Sequence, residues 1–420
     1  MKRDLRYHIW YHKVFEKNVG PARVLEKYGN IEAFYEAVIS GKEKASATPK
    51  RLEQAKKFSL IDADRVISVC ERNGWEIIPR ESEFFPQFLR ETSDCPRILF
   101  VHGKKEVLTR RATVAVVGSR SLSPRAEALT RNASYNIAKA GAVIVSGAAL
   151  GADSAAHRGA IEANGETVAV LGCGLGSSYM QRIGSLYDEI LAHGVFVTEL
   201  FPFEDANTFT FPERNRIISG ISRAVLVSYA EQKSGSLITA ELAKKQKRRV
   251  YAMASELYHS DGCAELISGG ACVFYNAGDI CYPLREFFEE GTFREDYCNR
   301  PVTEGISELS DEKPAKKKKE SSKSSEKKSL SEKTDVPEKT EIARKNESET
   351  VSGAPTELPG HFSEDAKKIY LSLENAGIVP INSFVDTLGI PAGRLMSAVF
   401  ELSLAGFAEL INGTKVRRLR

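Results

Sequence analysis

No Cys-x-x-Cys spacing occurs among the seven cysteines, which stand at positions 70, 95, 173, 263, 272, 281 and 298. Metal sites and disulfide frameworks built on paired cysteines are therefore not indicated, and reduced, packed thiols in a cytoplasmic protein are the expectation. No run of about 18 apolar residues is present, so no membrane span is expected. Met1 to Lys13 is charged and aromatic and lacks the apolar centre of a secretory signal. A charge excess of one sign is missing too: 59 Lys and Arg against 56 Asp and Glu leave a net +3. Global charge therefore does not announce a polyanion binder, and local clustering has to decide. The Walker sequence G-x-x-x-x-G-K-[ST] is absent, which argues against ATP hydrolysis by that route. Gly172-x-Gly174-x-Gly176 has neither the spacing nor the ribose-binding acid of a dinucleotide fold.

What is present divides the 420 residues into four stretches. Residues 1–70 read as a small helical module, helix-hairpin-helix or SAM-like. Leu5, Ile9, Trp10 and Phe15 open it, and Gly29 and Gly41 end two of its helices. Asn18-Val19-Gly20-Pro21 is either a turn offering N–H groups to DNA phosphate or an ordinary helix connection. Residues 305–357 are rich in Lys, Glu and Ser and hold no aromatics, as in Lys316 to Lys319. They cannot bury enough apolar surface to offset ordering entropy, so a disordered charged linker is expected. Residues 359–420 predict three helices and a hairpin about Asn412-Gly413, a winged-helix-like domain. Its third helix has Arg394 as its only basic residue, which argues against major-groove readout.

Residues 75–290 carry an α/β pattern. Short apolar strands recur at 98–101, 114–117, 143–145, 168–171, 196–198, 224–228, 250–253 and 272–275, with helices between most of them. A mostly parallel, Rossmann-like sheet with helices on both sides follows. Ligands of such sheets sit at the carboxyl ends of the strands. Four of those ends are small, flexible turns: Gly118-Ser119-Arg120, Ser146-Gly147 through Asp153, Gly172 through Gly176, and Ser234-Gly235-Ser236. Backbone N–H groups and helix N-termini at such turns favour phosphate. Ser123 and Pro124 start a helix directly after the first turn.

Cations and aromatics gather near these turns. Phe209, Phe211, Pro212, Arg214, Asn215 and Arg216 read as a loop leading into a helix, and Lys233 adjoins Ser234. Single-stranded nucleic acid is held by this combination, with cations on phosphates and rings on bases. Lys244 to Arg249 is the most basic run of the domain; it also ends a helix, where cations complement the dipole. Asp153 and His157 share a helix face, but no nucleophile accompanies them, so a cap and a structural histidine are expected.

The stretch from Val114 to about Asp279 resembles the DNA processing protein A (DprA/Smf) family. The resemblance rests on Val117-Gly118-Ser119-Arg120, Ser146-Gly147 through His157, Leu171 through Gly174, Phe211 through Gly220, and Ser234 through Ala240. It implies an extended Rossmann fold that binds single-stranded DNA without cleaving it and without a cofactor. It further implies homodimerisation through this fold and delivery of the DNA to the RecA recombinase in natural transformation. Carried over by position, Arg120, Arg214 and Arg216 would contact the DNA backbone and Phe211 a base. Ser119, Ser146, Gly147, Asn215, Lys233, Ser234, Gly235 and Ser236 complete the expected site. The chain departs from the family pattern at Leu150, where an arginine is usual, and at Ala152, Met180, Ile183, Tyr229 and Ala254. The competing enzymatic expectation is a phosphoribohydrolase of the lysine-decarboxylase-like type, whose Pro-Gly-Gly-Gly-x-Gly-Thr loop is only partly matched by Ser234 to Thr239.

Overall fold

The computed structural model describes residues 2–15, 21–43, 48–254, 260–304, 306, 362–373, 377–381, 383–404, 407–411 and 415–419. The Asn18 to Gly20 turn, the Lys316 to Lys319 run and Asn412-Gly413 lie outside the described residues.

Nine strands form one sheet: β1 (Glu76–Pro79), β2 (Ile98–Gly103), β3 (Thr113–Gly118), β4 (Val143–Ser146), β5 (Thr167–Val170), β6 (Gly194–Thr198), β7 (Ala224–Tyr229), β8 (Arg249–Met253) and β9 (Cys272–Phe274). Their order is β1-β2-β6-β5-β4-β3-β7-β8-β9. The run from β6 to β9 is parallel throughout, and β1 and β2 add an antiparallel margin. Pattern reading missed β1, whose Glu76-Ile77-Ile78-Pro79 is too short to stand out.

The chain moves outward from β3 through β4, β5 and β6, then returns to β3's other side with β7. The order therefore reverses between β3 and β7, and a crevice opens at their carboxyl ends.

Side-chain alternation along each strand feeds two faces. Ala115, Val117, Val145, Val170 and Val227 pack with Ile217, Ile218 and Ala240 on one face. Val114, Val116, Ile144 and Leu226 pack with Leu129, Ala133 and Ile137 of the helix Pro124–Lys139 on the other. Ser123 caps that helix by accepting from the Ala126 N–H at 3.1 Å, and Pro124 costs no hydrogen bond in its first turn. None of the seven cysteines is in a disulfide, and six are buried.

The N-terminal helix Lys2–Val14 closes an aromatic cluster of Trp10, Phe15, Phe34 and Tyr35. Its other face meets the sheet. The Arg97 guanidinium, 1 % exposed, donates from Nε to His8 Nδ1 at 2.9 Å and pairs with Glu81. His12 Nε2 lies 2.6 Å from the Glu199 carbonyl. The helix Leu60–Arg72 is fixed by a Ser59–Asp62 capping box.

In the C-terminal stretch, helices Glu364–Ser372, Ser383–Leu388 and Ala392–Leu404 accompany β10 (Ile378–Pro380), β11 (Ala408–Ile411) and β12 (Lys415–Arg418). These strands pair antiparallel in the order β10-β12-β11. The central strand β12 pairs a third strand that the sequence pattern did not disclose. No described helix is long and apolar enough to cross a membrane.

Because Arg97 donates to His8 Nδ1, that nitrogen is an acceptor and the ring is neutral. Burial and the Arg97 charge push the His8 imidazole down to about 4, and burial pushes His157 down to about 3. Both native values lie below the unfolded value of about 6.5. The unfolded chain therefore takes up protons first, and stability falls as pH drops below about 6.5, reaching its floor below the native values. A His8→Gln variant should show a shallower acid slope between pH 7 and pH 5, by up to about 2 kcal/mol at pH 5. Urea midpoints across that range check this; identical slopes for the two proteins would refute it.

Candidate nucleic-acid interface

The reversal between β3 and β7 places Gly118-Ser119-Arg120 beside the end of β7. Register shifts between Val117 and Gly118, and the Ser119 N–H donates to the Tyr229 carbonyl at 2.9 Å. The Ser119 carbonyl accepts from the Ala152 N–H at 3.0 Å, tying the turn to the helix Ala152–Glu162. Gly151, the residue before that helix, has φ +83°, and a Cβ there would lie 2.4 Å from the Ser119 carbonyl oxygen. Only glycine fits that close approach.

Above this turn lies a cleft of about 710 Å³. Of the expected site residues, Ser119, Arg120, Phe211, Arg214, Asn215, Ser234, Gly235 and Ser236 line it. The helix Gly235–Lys245 begins at its wall, with Ser234 accepting from the Ser236 N–H at 3.4 Å and open space beside Gly235. Its N-terminal end adds partial positive charge to the cleft.

Phe211 to Arg216 do not form a loop. The helix starts at Thr210 and runs to Ile221, with Pro212 in its first turn. Helical periodicity then decides where each side chain points. Phe211, Arg214, Asn215 and Ile218 fall on the cleft side. Arg216, five residues after Phe211, turns away: its guanidinium pairs with Glu199 and lies 3.8 Å from Asp94. Arg216 is therefore a structural ion pair and not a cleft cation.

Arg214 reaches the cleft wall, but its guanidinium is held mainly by the protein itself. It is 5 % exposed, and its Nη1 donates to the Gly147 carbonyl at 2.7 Å and to the Val170 carbonyl. Its guanidinium is spent on the ends of β4 and β5. Gly147 leaves the space that admits this group: a Cβ there would lie 2.3 Å from Arg214 Nη1. Ser146 is buried and donates to the Val116 carbonyl at 2.7 Å. Lys233 is exposed but outside the cleft lining.

Asp153 lies beneath Arg214, 8 % exposed, accepting from the Ala149 N–H at 3.4 Å. Burial pushes its carboxyl up and the Arg214 charge opposes that shift. His157 does not pair with Asp153. Its Nδ1 lies 2.7 Å from Thr167 Oγ1, whose proton goes to the Ile144 carbonyl. Nδ1 must therefore be the donor, and the neutral ring is a structural part of the core. Among the described residues no cluster of three His, Cys, Asp or Glu is placed to hold a metal ion.

The exposed cation of the turn is Arg120, whose guanidinium carbon lies 4.9 Å from the Phe211 ring centroid. Phe211 in turn packs on Tyr179 at 5.4 Å, and Arg182 lies 4.9 Å from the Tyr179 ring. Arg120, Phe211, Tyr179 and Arg182 thus form a row along the cleft, two adjoining rings with a cation at each end. Sequence reasoning singled out neither Tyr179 nor Arg182 as a site residue. Their spacing of three residues in a 3₁₀ turn, Ser178–Ile183, was the available signal.

The geometry can be set beside known proteins. The family model described as DNA recombination-mediator protein A matches residues 76–285. DNA processing protein DprA of Bacillus subtilis is 33 % identical over 245 residues, 58 % of this chain and 81 % of that protein. Protein Smf of Escherichia coli is 38 % identical over 240 residues, 56 % of this chain and 64 % of that protein. The X-ray structure of DNA processing protein A from Streptococcus pneumoniae aligns with a TM-score of 0.56 at 30 % identity, over 67 % of this chain and 96 % of that one. With the nine-stranded sheet, its reversal at β3 and β7 and the glycine turns around the cleft, these matches establish that the chain belongs to the DNA recombination-mediator protein A family.

Proposed function

We propose that the cleft binds single-stranded DNA without cleaving it, and that the chain works as a recombination mediator that passes the strand to a RecA-type recombinase. The observation that carries the DNA reading is the Arg120–Phe211–Tyr179–Arg182 row beside the N-terminal end of the helix Gly235–Lys245. Guanidinium groups and helix N–H groups suit phosphates, and the rings suit bases of any sequence. Family membership supports the mediator role. The resemblance of the sequence to DprA proteins supports transfer to RecA, homodimerisation through the sheet domain and a cytoplasmic setting. On this reading residues 1–70 are an accessory helical module, 75–290 the DNA-binding domain, 305–357 a tether and 359–420 a winged-helix-like domain. Nucleotide hydrolysis is not favoured, since Asp153 and Arg214 in the cleft wall are largely buried and hydrogen-bonded to the fold, and His157 is buried in the core.

Gel shifts of single- and double-stranded oligonucleotides across a salt series test the proposal. Arg120→Ala should weaken single-strand binding and reduce the logarithmic salt slope by about 0.7, with the melting temperature unchanged. An unchanged slope in the folded variant would remove Arg120 from the site. Tyr179→Ala should lose about 1–3 kcal/mol of binding, the range for one stacked base, at unchanged salt slope.

Arg214→Met should behave differently. It leaves Asp153 buried without its counter-charge and two carbonyls without a donor. A stability loss of about 3–5 kcal/mol is expected from urea unfolding. A fully stable Arg214→Met protein with weakened DNA binding would show instead that Arg214 is a ligand contact.

A further inference from the structure

The basic run Lys244 to Arg249 is not used by the cleft. It ends the helix Gly235–Lys245 and enters β8, so it lies at the amino edge of the sheet, opposite the cleft. Register aligns Val114 of β3 with Ala224 of β7, and Ala224 with Arg249 of β8. Thr113, Arg223 and Arg248 therefore stand side by side one step before these positions, and the Arg223 N–H donates to the Thr113 carbonyl at 2.9 Å. Here cations and rings interleave again. Arg111 lies 5.3 Å from the Phe287 ring, Arg223 lies 3.8 Å from Phe287 and 4.3 Å from Phe88, and Arg248 lies 5.6 Å from Phe88.

This cluster is not neutralised. The adjacent Arg110 pairs with Glu166 at 2.8 Å and Glu289 at 2.6 Å. Among the described residues no carboxylate comes within ion-pair range of Arg111, Arg223 or Arg248; Glu91 and Glu286 oppose their charge only from farther away. Burial and the neighbouring guanidinium groups hold the Arg223 and Arg248 values down. Arg111, Lys245, Lys247 and Arg249 are exposed beside them. Ring stacking, with an Arg248 Nη2 donation to the Phe88 carbonyl at 2.8 Å, fixes the guanidinium planes without neutralising their charge. Like charges gathered this way are unfavourable until an anion joins them. Three adjacent strands spread the cluster over about 10 Å, which suits a chain of phosphates better than one phosphate.

We propose that this amino edge is a second track for the phosphodiester backbone of single-stranded nucleic acid, separate from the cleft. The charge cluster stands on its own; the choice of nucleic acid as the polyanion rests on the reading of the cleft. Native mass spectrometry of the full chain with an oligothymidylate of about six nucleotides, short enough for one site, tests it. Wild type should bind two oligonucleotides per chain. Arg111→Gln combined with Arg249→Gln, both exposed, should bind one and lower the salt slope for a long oligonucleotide by about 1.4, or 0.7 per lost contact. Lys245→Gln combined with Lys247→Gln is a second exposed pair and should also lower the slope. Arg120→Ala should independently lower the occupancy of the other oligonucleotide. Two oligonucleotides and an unchanged slope in both folded edge variants would overturn the proposal. Loss of one in the edge variants with no effect of Arg120→Ala would keep the edge site and reject the cleft.

Discussion

The Arg214 guanidinium is held between the Gly147 and Val170 carbonyls, and the cleft depends on that contact. It joins the helix Thr210–Ile221 to the ends of β4 and β5, so Phe211 and Asn215 face the cleft in one orientation. Burying a guanidinium is costly unless its protons and charge are matched. The carbonyls match the protons, and Asp153 supplies charge from the helix Ala152–Glu162. A Cβ at position 147 would displace the guanidinium from this seat. One buried cation thus constrains a helix, two strand ends and a glycine turn.

That arrangement separates two kinds of arginine. Arg214 and Arg216 are spent on the protein itself, whereas Arg120 and Arg182 rest on rings and remain exposed. A guanidinium stacked on a ring keeps its charge and most of its donors for a ligand. The neighbouring turn offers an uncharged Leu150, which is 70 % exposed. Arg120 then carries a larger share of phosphate contact on the proposed reading, with Arg182 at the other end of the row.

Much of the fold was legible because buried parallel strands are short apolar runs and their helices have plain caps. Val114 to Gly118, Ser123-Pro124 and the Leu129, Ala133 and Ile137 face all declare themselves locally. Strand β1 did not, since two isoleucines between Glu76 and Pro79 carry too little pattern. The site was legible at its turns and obscure at its side chains. Pro212 looked like a loop residue, yet proline in a first helical turn loses no hydrogen bond. Placing the helix start at Thr210 rotates Arg214 inward and Arg216 away, which residue type alone does not reveal. The contact of Tyr179 with Phe211 joins residues far apart in sequence and exists only once the sheet is folded.

The central claim is that bases lie on the Tyr179–Phe211 face of the cleft. Photo-crosslinking of the full chain with a 4-thiothymidine oligonucleotide, followed by peptide mapping, measures this directly. Adducts on the peptides containing Tyr179 and Phe211, lost on Arg120→Ala, are the predicted result. Efficient crosslinking with no adduct on either peptide would contradict it.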